Sequence, residues 1–507
     1  MKRLNNKKTL DALLEDYNSL KDPIQGKNRI SKLLKKEEQD LVKYLATIKK
    51  ISKLDGKVYP SQGLLETPFD YLDYEETHML PNKFILETLR MRRFFLELFN
   101  HPYRMTFLDK VNAKGFVPPP KIHFDALMHS KTRGLSLSIG DFAATAVGAE
   151  HPRISRNDVY AQGLYVKLGK QARHIFAGSE SPDVWNSSLA IATMAACHCL
   201  ATIPRNGVLS GVKRQCDVAK EVFITLEYLA NSVLKNRPDK EKILNYWKNN
   251  VSGALEARAN QALERAAALY DIGVRSFSIY SPEPANDCIT TTRLLRKKYG
   301  KDIEIITGLL VSAEQAKNAQ DAGADALVVG VGAGGRCTTA IRSGTATDWP
   351  ELIWELRDQV NLPVLVQGGG TDHVAISLLL GVSGIYASRA VAGGTIESPG
   401  GALYFKENTG LLFKPYGGEA SARTKYLDGK LLPFDVPSFV EGETNKAYMR
   451  HINYSWPTLT YNLHVLLEDM VLALVFRGVR NLHELHAVKP TPLRRITTFG
   501  EFQRNTH

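Results

Sequence analysis

The chain has 507 residues, of which 44% are hydrophobic and 23% charged, and carries a net charge of +12. That composition is ordinary for a globular protein, and the length suits one large barrel plus an accessory region. Five cysteines in so long a chain do not look like a disulfide framework, and a reducing cytoplasm fits better. No apolar run is expected to reach the roughly 20 residues of a membrane span, and the N-terminus is too charged for a signal peptide.

Much of the positive excess lies early, in MKRLNNKK and in KNRISKLLKKEEQDLVKYLATIKKISK. Residues 1 to about 60 therefore read as charged helices with a solvated face, and attraction to phosphates or nucleic acid is the alternative. PNKFILETLRMRRFFLELFN (81–100) is a stronger amphipathic helix, with Phe84, Leu86, Leu89, Phe94, Phe95 and Leu98 toward one side. The extension, residues 1–115, has no assignable fold. A packing cap, an oligomer contact and a partner-binding arm all stay open.

From residue 116 to 490 strands alternate with helices, and 491–507 form a tail. LYVKLG (164–169) and HIFAGS (174–179) are strand-like, SSLAIATMAACHCL (187–200) is a small-residue helix, and LATIP is a further strand. Cys197, His198 and Cys199 sit in an apolar run without a partner pair, which favours core over zinc. A mostly helical stretch fills 204–250. A regular repeat follows: helix 254–271, strand 274–280, helix 290–299, strand 303–310, helix 312–322, strand 326–329, helix 348–360, PVLVQGGG, helix 372–380 and GIYAS. The spacing predicts an α/β fold, and the count favours a (β/α)8 TIM barrel.

The centre of the chain is ADALVVGVGAGGRCTT (324–339), a β-branched strand followed by a bare glycine-rich loop and one thiol. Such a loop can wrap a ligand with its own amides and carbonyls. By itself it is equally a flexible turn that contains a cysteine. Glycines also follow the strand PVLVQ at Gly368, Gly369 and Gly370, and Ser388 follows GIYA. Two glycine-rich or hydroxyl-bearing strand ends side by side suggest a barrel phosphate site.

GVGAGGRCTT resembles the catalytic-cysteine loop of the IMP dehydrogenase/GMP reductase family. NLPVLVQGGG (361–370), LLLGVSGIYASRAVAGGTIESPGG (378–401) and LLFKPYGGEAS (411–421) resemble, in order, the family's two phosphate strands and its purine-contacting segment before a mobile flap. The likeness is strong from about 254 to 430 and absent over the first hundred or so residues. It implies an NAD- or NADP-dependent oxidoreductase on a purine nucleotide, converting IMP to XMP or GMP to IMP, in a square homotetramer. The stretch 204–250 is too short for the regulatory CBS pair found in many relatives.

The resemblance implies Cys337 as nucleophile and Thr339 as the residue that activates water or orients the leaving group. Gly335, Gln367, Gly368, Gly369, Ala387, Ser388, Tyr416, Gly417 and Gly418 fall at substrate positions. Tyr280, Ser281, Gly330 and Gly332 fall at cofactor positions, and Gly332, Gly334 and Cys337 at a backbone site for potassium. Glu419 and Arg423 are candidates for the base in a flap of about 417–450, with Tyr426 beside Arg423.

The chain also departs from the pattern. Gln367 stands where the family has a ribose-binding aspartate, Gly335 replaces a phosphate-binding serine, and Ala387 replaces a glycine. Tyr280 replaces the aspartate that faces the nicotinamide ribose, and Glu419 lies two positions early for the reductase glutamate. Retention of Cys337 and its threonines favours an enzyme. The lost carboxylates favour a diverged nucleotide-binding member with little catalysis.

Overall fold

The computed structural model describes residues 76–106, 135–137, 154–179, 181–205, 211–279, 285–331, 339–356, 358–367, 374–418, 421, 445–449, 456–488 and 492–504. The charged helices expected over residues 1 to 60 lie outside them.

Eight parallel strands close into a barrel: β1 (Phe176–Gly178), β2 (Leu200–Ile203), β3 (Val251–Leu255), β4 (Ser276–Ile279), β5 (Glu304–Leu310), β6 (Ala326–Val329), β7 (Val364–Gln367) and β8 (Gly384–Tyr386). The expected TIM barrel is the observed fold. Side chains alternate along each strand, so Phe277, Ile305 and Val366 pack outward under the helices while Leu200, Ile306, Val328 and Leu365 fill the interior. The strand expected at 164–169 is present as Tyr165–Leu168, one arm of an antiparallel hairpin with Gln171–His174 outside the barrel ladder. Its Leu168 inserts among the interior residues and closes the N-terminal end of the barrel.

One element differs from expectation. The helix predicted from 254 begins at Ala259, and Val251–Leu255 is the third barrel strand. Ala254 and Leu255 favour helix locally, but the ladders to β2 and β4 claim them. Gly253 lets the following helix lie close, since a Cβ there would come 2.6 Å from Leu269 Cδ1. Helices Val212–Val233 and Lys240–Lys248 occupy the stretch before it, as the sequence predicts.

Helix Asn82–Phe99 packs on the barrel rather than standing apart. Phe95 meets Tyr461 at 5.3 Å, and Asn100 Nδ2 donates to Leu96 O and Ala196 O. Leu86, Leu89 and Phe95 are buried as expected, but Phe94 is 56% exposed, and Ile85, Leu96 and Phe99 complete the buried face. Strand Glu76–Met79 joins the edge of a four-stranded antiparallel sheet with Leu403–Lys406, Leu412–Tyr416 and Asn445–Tyr448. Thus the described part of the extension caps the barrel and borders the sheet from which the expected flap departs. In the tail, strand Leu493–Arg495 pairs with Leu135–Leu137.

Helix Leu459–Arg477 corrects the expectation of no long apolar run, with a mean hydropathy of 1.5. Glu468 and Asp469 interrupt the apolar run in sequence but lie within one continuous helix. Its Leu459, Leu463, Leu467, Met470, Val471 and Leu474 are buried in the main core, which makes it a core helix.

Cys197, His198 and Cys199 are fully buried, as predicted for core. His198 Nε2 donates to Asn100 Oδ1 at 2.8 Å, and its Nδ1 accepts from the Tyr165 hydroxyl at 2.7 Å. Burial pushes both thiols well above the usual range, so neither is a ready thiolate ligand.

Candidate active site

The C-terminal strand ends bring several predicted residues together. Gly330 follows β6 with φ of 112°, and a Cβ there would sit 2.5 Å from Gln367 O at the end of β7. Only glycine allows so close a crossing in that conformation. Gln367 follows the inward Leu365 and the outward Val366, so the twofold alternation turns it toward the barrel mouth, where it is half-buried.

At the end of β8, Ala387 is buried, and its N–H donates to Ala177 O of β1 at 2.8 Å. That amide is committed to the ladder and is not offered to a ligand. Ser388 is the hydroxyl at this end. Its Oγ accepts from Trp185 Nε1 at 2.9 Å and shares a hydrogen bond with Ser179 Oγ. Ser181 Oγ donates to Gly417 O at 2.6 Å, which joins the segment after β1 to the end of strand Leu412–Tyr416.

Tyr416 ends strand Leu412–Tyr416 and packs against the main core, and Gly417 and Gly418 follow it. The strand is held by Lys414, whose Nζ is buried and donates to Thr395 O and Gly401 O at 2.7 Å each. A third bond reaches Ser398 O at 3.2 Å. Burial lowers the affinity of this amine for its proton, and the nearby Glu397 carboxylate opposes that shift. Three carbonyl acceptors match the three donors of an ammonium. Lys414 is thus a fixed internal hydrogen-bond donor that anchors strand Leu412–Tyr416 to the turn over Thr395–Gly401.

Thr339 opens helix Thr339–Ser343. Cys337, Gly332, Gly334, Gly335, Gly368, Gly369, Tyr280, Ser281, Glu419 and Arg423 lie outside the described residues. Among the described residues no group of three His, Cys, Asp or Glu side chains could hold a metal. Sequence reasoning did not single out Ser179, Ser181, Trp185 or Lys414 as site residues. The signals were a lysine inside LLFKPY and the segment AGSESPDVWNSSLAIATMA, which resembles the family's second strand and helix, where a serine and an apolar residue line the nucleotide site.

A cleft of about 400 Å³ lies beside the ends of β3 and β4, lined by Arg258, Asn260, Gln261, Asp287 and Thr290. A guanidinium, two carboxamides, a hydroxyl and a carboxylate give this cleft a polar lining of hydrogen-bond donors and acceptors.

This is a (β/α)8 barrel whose convergent polar residues lie at the C-terminal face, where barrel enzymes build their sites. Residues 170–507 match the IMP dehydrogenase / GMP reductase domain. The chain belongs to that family. It is 26% identical over 266 residues to inosine-5'-monophosphate dehydrogenase of Aquifex aeolicus, covering 50% of this chain and 51% of that protein. Against the enzyme of Toxoplasma gondii it is 32% identical over 199 residues, 38% of this chain and 35% of that protein. Against that of Chlorobaculum parvum it is 24% identical over 333 residues, 61% and 60% of the two chains. The chain therefore spans about a third to three-fifths of the length of these relatives.

Proposed function

We propose that this protein is an oxidoreductase acting on a purine nucleotide, with IMP oxidation to XMP as the leading reaction. The observation that carries it is Gly330, which follows β6 at the start of the cysteine-bearing sequence and crosses close to Gln367 O, in a chain of this family. The Cys337 thiolate adds to the purine carbon between the two ring nitrogens, and that carbon gives up a hydride and becomes an electrophilic thioimidate. Water then displaces the thiolate, with Thr339 placed to orient it, and the product carbonyl carries the new oxygen. Bound NAD(P)+ supplies the hydride acceptor. Arg258, Asn260, Gln261 and Thr290 are the residues offered to hold it. GMP reduction to IMP is the alternative: ammonia leaves the Cys337 adduct, the thioimidate so formed takes a hydride from a reduced nicotinamide, and the thiolate is then expelled. The short interval between Tyr416 and the VEGE segment at 440–443 favours it.

A potassium ion on the carbonyls of the cysteine loop, a homotetramer and a cytoplasmic location complete the proposal. Incubation with IMP or GMP and each nicotinamide cofactor, read by reduced-nicotinamide absorbance, tests the reaction. No absorbance change with any pair would leave the diverged, binding-only reading. Sedimentation at micromolar concentration tests the assembly.

Gln367 is expected to weaken ribose binding. A charged acceptor contributes about 1.5–3 kcal/mol per hydrogen bond against about 1 for a neutral one. Gln367→Asp is therefore expected to tighten IMP or GMP by roughly tenfold in a calorimetric titration, with a smaller gain for the deoxyribonucleotides. If neither ribonucleotide tightens, the glutamine serves some other ligand.

A further inference from the structure

The segment after β1 grips the proposed phosphate end of the site from below. Trp185 is fully buried at the end of the short helix Pro182–Trp185. Its ring lies flat against Gly178, where a Cβ would come 3.0 Å from Cζ2, so the glycine at the end of β1 is what admits the indole. From that seat Nε1 donates to Ser388 Oγ at 2.9 Å. Ser179, next to Gly178, places its own Oγ on the same oxygen.

The donor count decides what this cluster offers. An indole N–H only donates, and a serine hydroxyl has one donor and two acceptor sites. Trp185 fills one acceptor site of Ser388. If Ser179 fills the other, Ser388 has only its own proton left to offer. If Ser388 donates to Ser179 instead, the free proton passes to the Ser179 hydroxyl. In either arrangement the pair holds one uncommitted O–H, and a ligand oxygen at Ser388 selects the first. That suits an acceptor-only group such as a phosphate monoester better than a group that must donate.

We propose that Trp185 and Ser179 are positioning residues which fix the Ser388 hydroxyl as a donor to the 5'-phosphate of the substrate. This rests on the purine-nucleotide reading above. The same segment sends Ser181 to Gly417 O, so one loop sets the spacing between the β8 end and the end of strand Leu412–Tyr416.

The test is a calorimetric titration of wild type, Trp185→Phe and Ser179→Ala with IMP, GMP and the corresponding nucleosides. Circular dichroism melting confirms that each variant is folded. Loss of one hydrogen bond to the phosphate-facing hydroxyl should weaken the monophosphates about five- to tenfold in each variant. The nucleosides, which lack the phosphate, should bind as they do to wild type. Equal phosphate preference in wild type and both variants would overturn the positioning role while leaving the nucleotide reading intact. Equal weakening of nucleotide and nucleoside would also overturn it, because that marks general packing. If wild type itself prefers neither monophosphate over its nucleoside, the nucleotide reading fails and this inference with it. Ser179→Ala keeps the test valid should Trp185→Phe not fold.

Discussion

Cys337→Ala is expected to reduce turnover to background, a loss of about four orders of magnitude or more if the thiol is the nucleophile. Nucleotide affinity should change little, because the proposed phosphate and ribose contacts lie elsewhere, at the ends of β7 and β8. In sequence the thiol follows a glycine-rich run and Arg336, and a guanidinium next to a thiol favours the thiolate. Alkylation by iodoacetamide should accordingly single out Cys337 and be slowed by bound nucleotide. Cys197, Cys199, Cys216 and Cys288 are buried, and burial raises the thiol pKa of the first three. Mass spectrometry of the alkylated protein, with turnover of the alanine variant, checks both halves. An alanine variant with full activity would remove the covalent mechanism.

The second large effect is expected at the opposite end of the barrel, on stability instead of chemistry. Arg173 is fully buried, and its NH1 and NH2 donate to Glu304 Oε1 and Oε2 at 2.6 and 3.0 Å. Its Nε donates to Asn250 Oδ1 at 2.9 Å, and NH2 also reaches Asn249 O at 2.8 Å. The pair thus ties the N-terminal hairpin to β5 and to the turn before β3. Gly169, with φ of 68°, turns tightly over the carboxylate, where a Cβ would lie 1.8 Å from Glu304 Oε1. Glu304→Gln removes the countercharge and leaves a guanidinium buried, which costs about 3–5 kcal/mol. Replacing both partners, as Arg173→Met with Glu304→Leu, removes the charge as well and should recover most of that loss. Urea unfolding of wild type, single and double variants reads the difference as shifts in midpoint. A single variant within about 0.5 kcal/mol of wild type would show that the pair contributes little. Nucleotide affinity in folded variants should be unchanged, because barrel sites lie at the other face.

The described part of the N-terminal extension links two regions that the sequence leaves separate. Strand Glu76–Met79 borders the sheet in which Leu412–Tyr416 pairs with Asn445–Tyr448, the two strands on either side of the expected flap. Helix Asn82–Phe99 meanwhile packs on helix Leu459–Arg477 through Phe95 and Phe99. The described residues of the extension pack against the outer helices of the barrel.

The sequence by itself determined the barrel, because apolar runs such as Ala326–Val329 and Val364–Gln367 alternate with helical segments at the spacing that parallel strands require. It also determined the family, through motifs at Cys337, Gln367, Ser388 and Tyr416 that lie after strands in the right order. Those signals are local, each written within ten residues or so of chain. What local signals could not show was anything decided by neighbours distant in sequence. Val251–Leu255 became a strand because β2 and β4 flank it, against the helix preference of Ala254 and Leu255. Phe94 turned to solvent because the helix–helix contact selected Phe95 and Phe99 instead. Trp185 and Ser179 reach Ser388 across more than two hundred residues, and Lys414 finds its carbonyls in a turn that only the folded chain brings beneath it. A hydrogen bond between such positions depends on closure of the barrel, which places β8 beside β1. No periodicity along the chain encodes that adjacency.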